Sequence, residues 1–241
     1  MPLVGIYGGT FNPIHVGHLR AAEEAAEALG LARVLFVPSA VPPHKAEEAD
    51  DAIAPGAERL TWVRLAIADN PRFAADAIEV ERGGTSYLVD TLSALRERLG
   101  AAGDEPVFLV GSDAFAEMGA WRAPRDLFAL AHFAVIPRPP LRAGSLADWL
   151  PAEVRDLVAL APDGRSGRHR DAGTWLRVLE IAGFDVSASD LRQRLREGRS
   201  VRYLLPEPIR AAVLASGIYR APAAAADPSG AGGSSGVHAS R

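Results

Sequence analysis

Residues Gly8–His18 read GGTFNPIHVGH, directly after the apolar run Leu3–Tyr7 and opening the Ala-rich stretch Gly17–Leu29. A short buried run, a glycine pair and an amphipathic stretch in that order describe a strand–loop–helix unit of an α/β protein. Gly8 and Gly9 let the backbone turn sharply and approach a ligand closely. Asn12-Pro13 ends the loop, and His15 and His18 stand at i and i+3, on one face of the helix beginning there. Amides at a helix start together with two imidazoles suit an anion. A tight turn carrying two incidental histidines is the plainer alternative.

The same alternation repeats outward from this unit. The runs Arg33–Pro38, Ala77–Glu81, Val107–Gly111, His132–Pro137 and Trp175–Ile181 predict strands. Ala57–Asp69 and Ser86–Leu99, the latter ending at Gly100, predict helices. Helix following strand implies parallel pairing through right-handed crossovers, hence an α/β fold with a doubly wound parallel sheet. Two helices close the pattern: Asp190–Glu197, with Ser189 as N-cap and Gly198 beyond its end, and Pro206–Ala215, ended by Gly217. Pro139–Gly173 reads as irregular, with GRSGRHRDAG resembling an exposed basic loop, and Ala221–Arg241 reads as a disordered tail. The expectation is one domain over residues 1–220 with an irregular insertion at 139–173 and a tail at 221–241.

Composition narrows the chemistry. The 241 residues carry 26 Lys plus Arg against 30 Asp plus Glu, a net charge of −4 that argues against a broad nucleic-acid footprint. Cys is absent, which excludes disulfides, thiol nucleophiles and thiolate metal sites. The N-terminus lacks a basic n-region, and Glu23, Glu24 and Glu27 interrupt the Ala-rich stretch, so no leader or membrane span is expected and the location is read as cytoplasmic. A zinc reading of His15 and His18 lacks HExxH and thiols. The single Lys sits in VPPHK rather than in a Walker loop, and neither G-x-G-x-x-G after the first strand nor a G-x-S-x-G elbow is present.

At this point the motifs carry a resemblance. GGTFNPIHVGH resembles the signature of the HIGH-type nucleotidyltransferase superfamily. VPSAVPPHK (Val37–Lys45), GTSYLVDTL (Gly84–Leu92), VGSDAFAEMGAW (Val110–Trp121) and VSASDLRQRLREGRSVRYLLP follow in order. Together they resemble bacterial nicotinate-nucleotide adenylyltransferases over most of residues 3–220. The resemblance implies a Rossmann-like nucleotidyltransferase fold with C-terminal helices. It also implies adenylyl transfer from ATP to nicotinate mononucleotide, giving deamido-NAD and pyrophosphate.

Site residues follow from the same resemblance, position by position. Gly8, Gly9, Thr10, Phe11, His15, His18, Gly111, Asp113, Ser187, Ser189 and Arg192 fall where the family holds ATP. The last three lie in a pattern resembling I-S-x-T-x-x-R, with Val186 in place of Ile and Ser189 in place of Thr. His44, Lys45, Thr85, Ser86, Tyr87 and Trp121 fall on the nicotinate-nucleotide side, Trp121 stacking on the pyridine ring and amides near Ser86 and Tyr87 receiving the carboxylate. His15, His18, Lys45 and Arg192 are the implied catalytic set.

Physical chemistry agrees with such a set. Four of the five segments lie just after predicted strands, where open α/β sheets bind ligands. Attack of an acceptor phosphate on an α-phosphorus needs alignment and charge neutralisation more than covalent help, and an already anionic phosphate needs no general base. Mg²⁺ is expected on the triphosphate, with no metal ligand from the protein. ATP and the mononucleotide are the expected partners, without nucleic acid or membrane, and a single-chain sequence leaves a homo-oligomer open. The same chemistry on nicotinamide mononucleotide or another phosphorylated acceptor, and a non-catalytic nucleotide-binding regulator, are the rival readings.

Lys45 is one residue among 26 basic ones, the other 25 being Arg. If its compact ammonium meets triphosphate, Lys45→Arg lowers kcat/KM at conserved charge, whereas parental kinetics would make the lone Lys an accident of composition.

Overall fold

The computed structural model describes residues 1–42, 52–137, 144–182 and 184–220. Along the first part of the chain run β1 (Leu3–Gly9), α1 (Val16–Leu29), β2 (Arg33–Pro38), α2 (Gly56–Ala66), β3 (Phe73–Ala75), α3 (Ile78–Arg82) and α4 (Leu88–Ala101). Then follow β4 (Glu105–Gly111), α5 (Ser112–Glu117), α6 (Pro124–Leu130), β5 (His132–Ile136) and α7 (Leu146–Trp149). β6 (Val158–Leu160), β7 (Ser166–His169), β8 (Trp175–Val178), α8 (Ala188–Arg196) and α9 (Glu207–Ser216) complete the described strands and α-helices, with short 3-10 turns at Met118–Ala120 and Ala152–Leu157.

One sheet of order β3-β2-β1-β4-β5-β8-β7-β6 organises them. Every pair from β3 to β8 is parallel, with Val34 opposite Phe73, Ile6 opposite Leu35 and Phe108, and Val135 opposite Val178. β7 and β6 are antiparallel. The chain leaves β1 toward β2 and β3, then crosses back to β4 on the other side. The strand order therefore reverses between β1 and β4, and a crevice opens outside their carboxyl ends.

Alternation along β1 feeds two cores. Val4 and Ile6 face the side of α4, α5 and α6, while Leu3 and Tyr7 face the side of α1 and the C-terminal helices. Gly5 between them has no room for a side chain, since a Cβ would lie 2.8 Å from Leu31 Cδ1 and 3.2 Å from Val34 Cγ2. Among the described residues no helix is long and apolar enough to cross a membrane.

Several expectations need correction. Ala77–Glu81 is not a strand. The third strand is Phe73–Ala75, and Asp76 then turns the chain by accepting the Ile78 amide at 3.1 Å, so that Ile78–Arg82 forms one helical turn ended by Gly83 at φ 68°. Ser187, not Ser189, is the N-cap of α8, its hydroxyl accepting the Asp190 amide at 3.1 Å. α4 starts at Leu88 rather than Ser86 and runs past Gly100 to Ala101. The 139–173 segment, expected to be irregular, carries α7, β6 and β7 in its described part 144–173, and the supposed basic loop contains strand Ser166–His169 with His169 buried. β7 and β6 extend the sheet beyond β8, where Gly167 faces Leu176. The tail expected at 221–241 lies outside the described residues.

Candidate active site

A cleft of about 1050 Å³ lies at the strand-order reversal. It is lined by Tyr7–Asn12, His15 and His18, by Ser86–Leu88, by Val110–Ala114 with Trp121, and by Phe184–Ser189. Thus Gly8, Gly9, Thr10, Phe11, His15, His18, Gly111, Asp113, Ser187, Ser189, Ser86, Tyr87 and Trp121 are brought together as expected. Thr85 is exposed and forms an isolated bridge with Val41 instead. Arg192 is buried behind the lining. His44 and Lys45 lie outside the described residues.

The Gly-Gly pair works differently from the sequence reading. Gly8 and Gly9 are still in extended β1, and the turn falls at Phe11, with φ 48°, just before the cis Asn12-Pro13 peptide. What the glycines supply is clearance: a Cβ would stand 3.3 Å from Phe108 at Gly8 and 3.3 Å from Phe11 at Gly9. The strand end can thereby lie flat beneath a ligand.

His15 is the N-cap of α1, and its amide donates to His18 Nδ1 at 3.2 Å. Their rings stack at 3.6 Å between centroids. Because His18 Nδ1 accepts, its neutral imidazole carries the proton on Nε2. His18 is thus a hydrogen-bond donor in the cleft without first becoming charged.

The loops bearing these groups are pinned by side chains the sequence reading did not single out. Arg59, fully buried on α2, donates from Nε to the Ala54 carbonyl at 2.7 Å and from Nη1 to that of Thr10 at 2.5 Å. Its Nη2 reaches the carbonyls of Ser39 and Ala40 at 2.6 and 2.9 Å. Burial pulls the Arg59 pKa below its ordinary value. Asn12 accepts the Ala54 amide at 3.0 Å and the Tyr219 hydroxyl, and donates to the Ala52 carbonyl at 3.0 Å. Arg192 donates from Nη1 to the Asn12 carbonyl at 2.9 Å and from Nη2 to Ser189 Oγ at 3.3 Å. The periodicity of α2, whose buried positions are Arg59, Leu60, Trp62, Val63 and Ala66, is the signal that could have found Arg59.

On the opposite wall α4 begins at an N-cap, Tyr87, that provides no side-chain cap. The Ser86 amide donates to the Val41 carbonyl at 2.9 Å, and Ser86 Oγ accepts the Ala40 amide at 2.9 Å. Trp121 packs partly into the second core while facing the cleft, and the Arg122 guanidinium lies 4.7 Å over the Tyr87 ring. Ser39 also lines the cleft, its Oγ buried without a hydrogen-bond partner among the described residues. No cluster of three or more His, Asp or Glu able to hold a metal occurs among the described residues.

Comparison with known proteins places this geometry. Residues 6–194 match the family model described as cytidylyltransferase-like. The probable nicotinate-nucleotide adenylyltransferase of Trichlorobacter lovleyi is 43% identical over 217 residues, 90% of this chain and 99% of that one. The probable enzyme of the same name from Halorhodospira halophila is 43% identical over 219 residues, 91% and 96% of the two chains. The solved Plasmodium falciparum nicotinic acid mononucleotide adenylyltransferase complexed with NaAD shares the fold at a TM-score of 0.66 and 14% identity, over 91% of this chain and 98% of that one.

The hydrogen bond from the His15 amide fixes a tautomer that can be read in solution. At a pH where His18 is neutral, its ¹⁵N shifts should show an acceptor-type Nδ1 and a protonated Nε2; the reverse pattern contradicts the geometry.

Proposed function

The chain belongs to the cytidylyltransferase-like family, and on that premise we propose that its cleft transfers the adenylyl group of ATP to nicotinate mononucleotide, giving deamido-NAD and pyrophosphate. The observation that carries the reading is the convergence, in one cleft, of the β1 loop, the stacked histidines and the starts of α4 and α8. The names and extent of the relatives, matched over nine-tenths of the chain, support it.

The reaction is an in-line displacement. An oxygen of the acceptor's 5′-phosphate bonds to the α-phosphorus of ATP, and the bond from that phosphorus to the bridging oxygen breaks as pyrophosphate leaves. Negative charge builds on the phosphate oxygens in between, so donors fixed beforehand lower the barrier. His18 Nε2–H, the backbone amides of Gly9–Phe11 and the hydroxyls of Ser187 and Ser189 are assigned to that charge. Arg192 reaches the same phosphates through Ser189 while holding the Asn12 carbonyl. His15 positions its partner from the N-cap. Lys45 and His44 are assigned to the loop after β2, and Asp113 to a ribose hydroxyl.

A divalent cation accompanies ATP in reactions of this type, and we assign Mg²⁺ because its hardness matches the triphosphate oxygens. Bound there, it neutralises charge on the leaving pyrophosphate.

For the acceptor, the Trp121 indole provides a face for the pyridine ring. The Ser86 amide is engaged by Val41, so the ring carboxylate is assigned to the Tyr87 amide and the uncapped first turn of α4. A negative group gains from that helix end and a neutral carboxamide gains less. With ATP as substrate, the reading carries a cytoplasmic location with it.

Pyrophosphate release with each mononucleotide tests the assignment. Nicotinate mononucleotide should be strongly preferred, and His18→Ala should lower kcat by about 10²-fold while ATP affinity changes little. Preference for the amide contradicts the acceptor assignment, and equal losses of rate and affinity contradict a transition-state role for His18.

A further inference from the structure

Charge on the cleft wall runs against its proposed ligands. Both nucleotides are anions, yet the carboxyl groups of Glu79, Asp113, Glu117 and Asp185 line the cleft. Glu79, in α3, is 6% exposed, and burial raises its pKa; the other three are exposed. Among the described residues of the lining, Arg122 is the one permanently charged cation. Adenylyl transfer as assigned above uses its neighbour Trp121 but not Arg122.

Arg122 stands on the acceptor side. Its guanidinium lies 4.7 Å over the Tyr87 ring, beside the start of α4. The Trp121 amide closes the preceding turn by donating to the Met118 carbonyl at 3.1 Å. After Arg122, Ala123 takes a left-handed φ of 50°, unfavourable for a residue with a Cβ, and α6 begins at Pro124. The Trp121–Arg122 pair thus bridges two turns on a connection too short to carry it far from the cleft.

Elsewhere on that wall charge opposes an acid. Asp90 sits in the first turn of α4, where its carboxylate offsets the positive potential that an incoming anion would use. Arg122 Nη1 is 3.6 Å from Asp90 Oδ2, near enough to cancel part of that charge but beyond hydrogen-bond range, so the guanidinium fork is not spent on Asp90. We propose that Arg122 is the residue by which the cleft selects an acidic pyridine ring over its amide: its guanidinium balances Asp90 and supplies the positive charge that the ring carboxylate meets beside the Tyr87 amide. This rests on the adenylyl-transfer reading and names the group that discriminates within it. The carboxylate of nicotinate is ionised near pH 7 and the carboxamide of nicotinamide is neutral, so a cation here acts on one ligand and is nearly blind to the other. Trp121 meets either ring alike. Consecutive residues divide the ring's recognition, shape falling to Trp121 and charge to Arg122.

Kinetics of Arg122→Gln with the two mononucleotides test this. Both acceptors carry the same 5′-phosphate, so the ratio of their kcat/KM values isolates the ring. Loss of a charge-assisted contact predicts a fall of about tenfold in kcat/KM for nicotinate mononucleotide. The value for nicotinamide mononucleotide, and KM for ATP, should stay within about twofold of the parent. Arg122→Lys keeps the charge and should keep the ratio within about threefold. Where turnover of the amide is too slow to follow, its Ki as a competitor of the acid takes the place of kcat/KM. Arg122 is exposed, so neither substitution disturbs the core. An unchanged ratio overturns the proposal. So does an equal fall on both acceptors, which marks a packing role against Tyr87, and so does a lysine variant no better than the glutamine one. A parent enzyme inactive on nicotinate mononucleotide overturns the adenylyl-transfer reading, and one that prefers the amide overturns its acceptor, both before any variant is compared.

Discussion

The carbonyls of Thr10, Ser39, Ala40 and Ala54 converge on one guanidinium, that of Arg59. A ligand crevice at the end of a parallel sheet needs loops that leave adjacent strands and then hold still, and a buried loop carbonyl is costly without a donor. Arg59 supplies five N–H groups in a rigid fork, which a lysine could not. Burying the charge opposes this, as its lowered pKa shows, and the short, charge-assisted bonds offset the cost. The loop after β1, the loop after β2 and the entry to α2 are thereby fixed relative to one another.

A second knot at Asn12 makes the cleft a property of the whole chain. The Asn12 side chain bonds to Ala52, Ala54 and Tyr219, and its carbonyl accepts from Arg192. Tyr219 is 207 residues away in sequence, and its ring packs 6.1 Å from Trp62 of α2. The loop after β1 has all its partners only when α8 and the segment following α9 have docked. The residues assigned above to the triphosphate and those that hold the fold together thus overlap, and Arg192, reaching Asn12 and Ser189 at once, belongs to both groups.

Much of this was legible in sequence, for identifiable reasons. α1, α8 and α9 carry amphipathic patterns, and Gly198 and Gly217 both adopt the left-handed geometry expected beyond a helix end. Ala77–Glu81 misled because Ile78 and Val80 alternate with Glu79 and Glu81, and five residues cannot distinguish a period of two from 3.6. β6 was missed because three residues are too few to show a period, and β7 because its polar sequence, Ser166–His169, has no apolar alternation to show. The cleft residues were found because they sit in contiguous motifs after strands. Arg59 and Glu79 were not, since a charged residue on a helix is ordinarily solvated and only the docked structure turns these two inward.

The central claim is that this cleft moves an adenylyl group onto an acceptor phosphate. The most direct measurement follows the label from [α-³²P]ATP and, separately, [γ-³²P]ATP during turnover with nicotinate mononucleotide. The account predicts α-label in a dinucleotide and γ-label in pyrophosphate, in equal molar yield. Transfer of γ-label to the acceptor, or release of ADP, would contradict it.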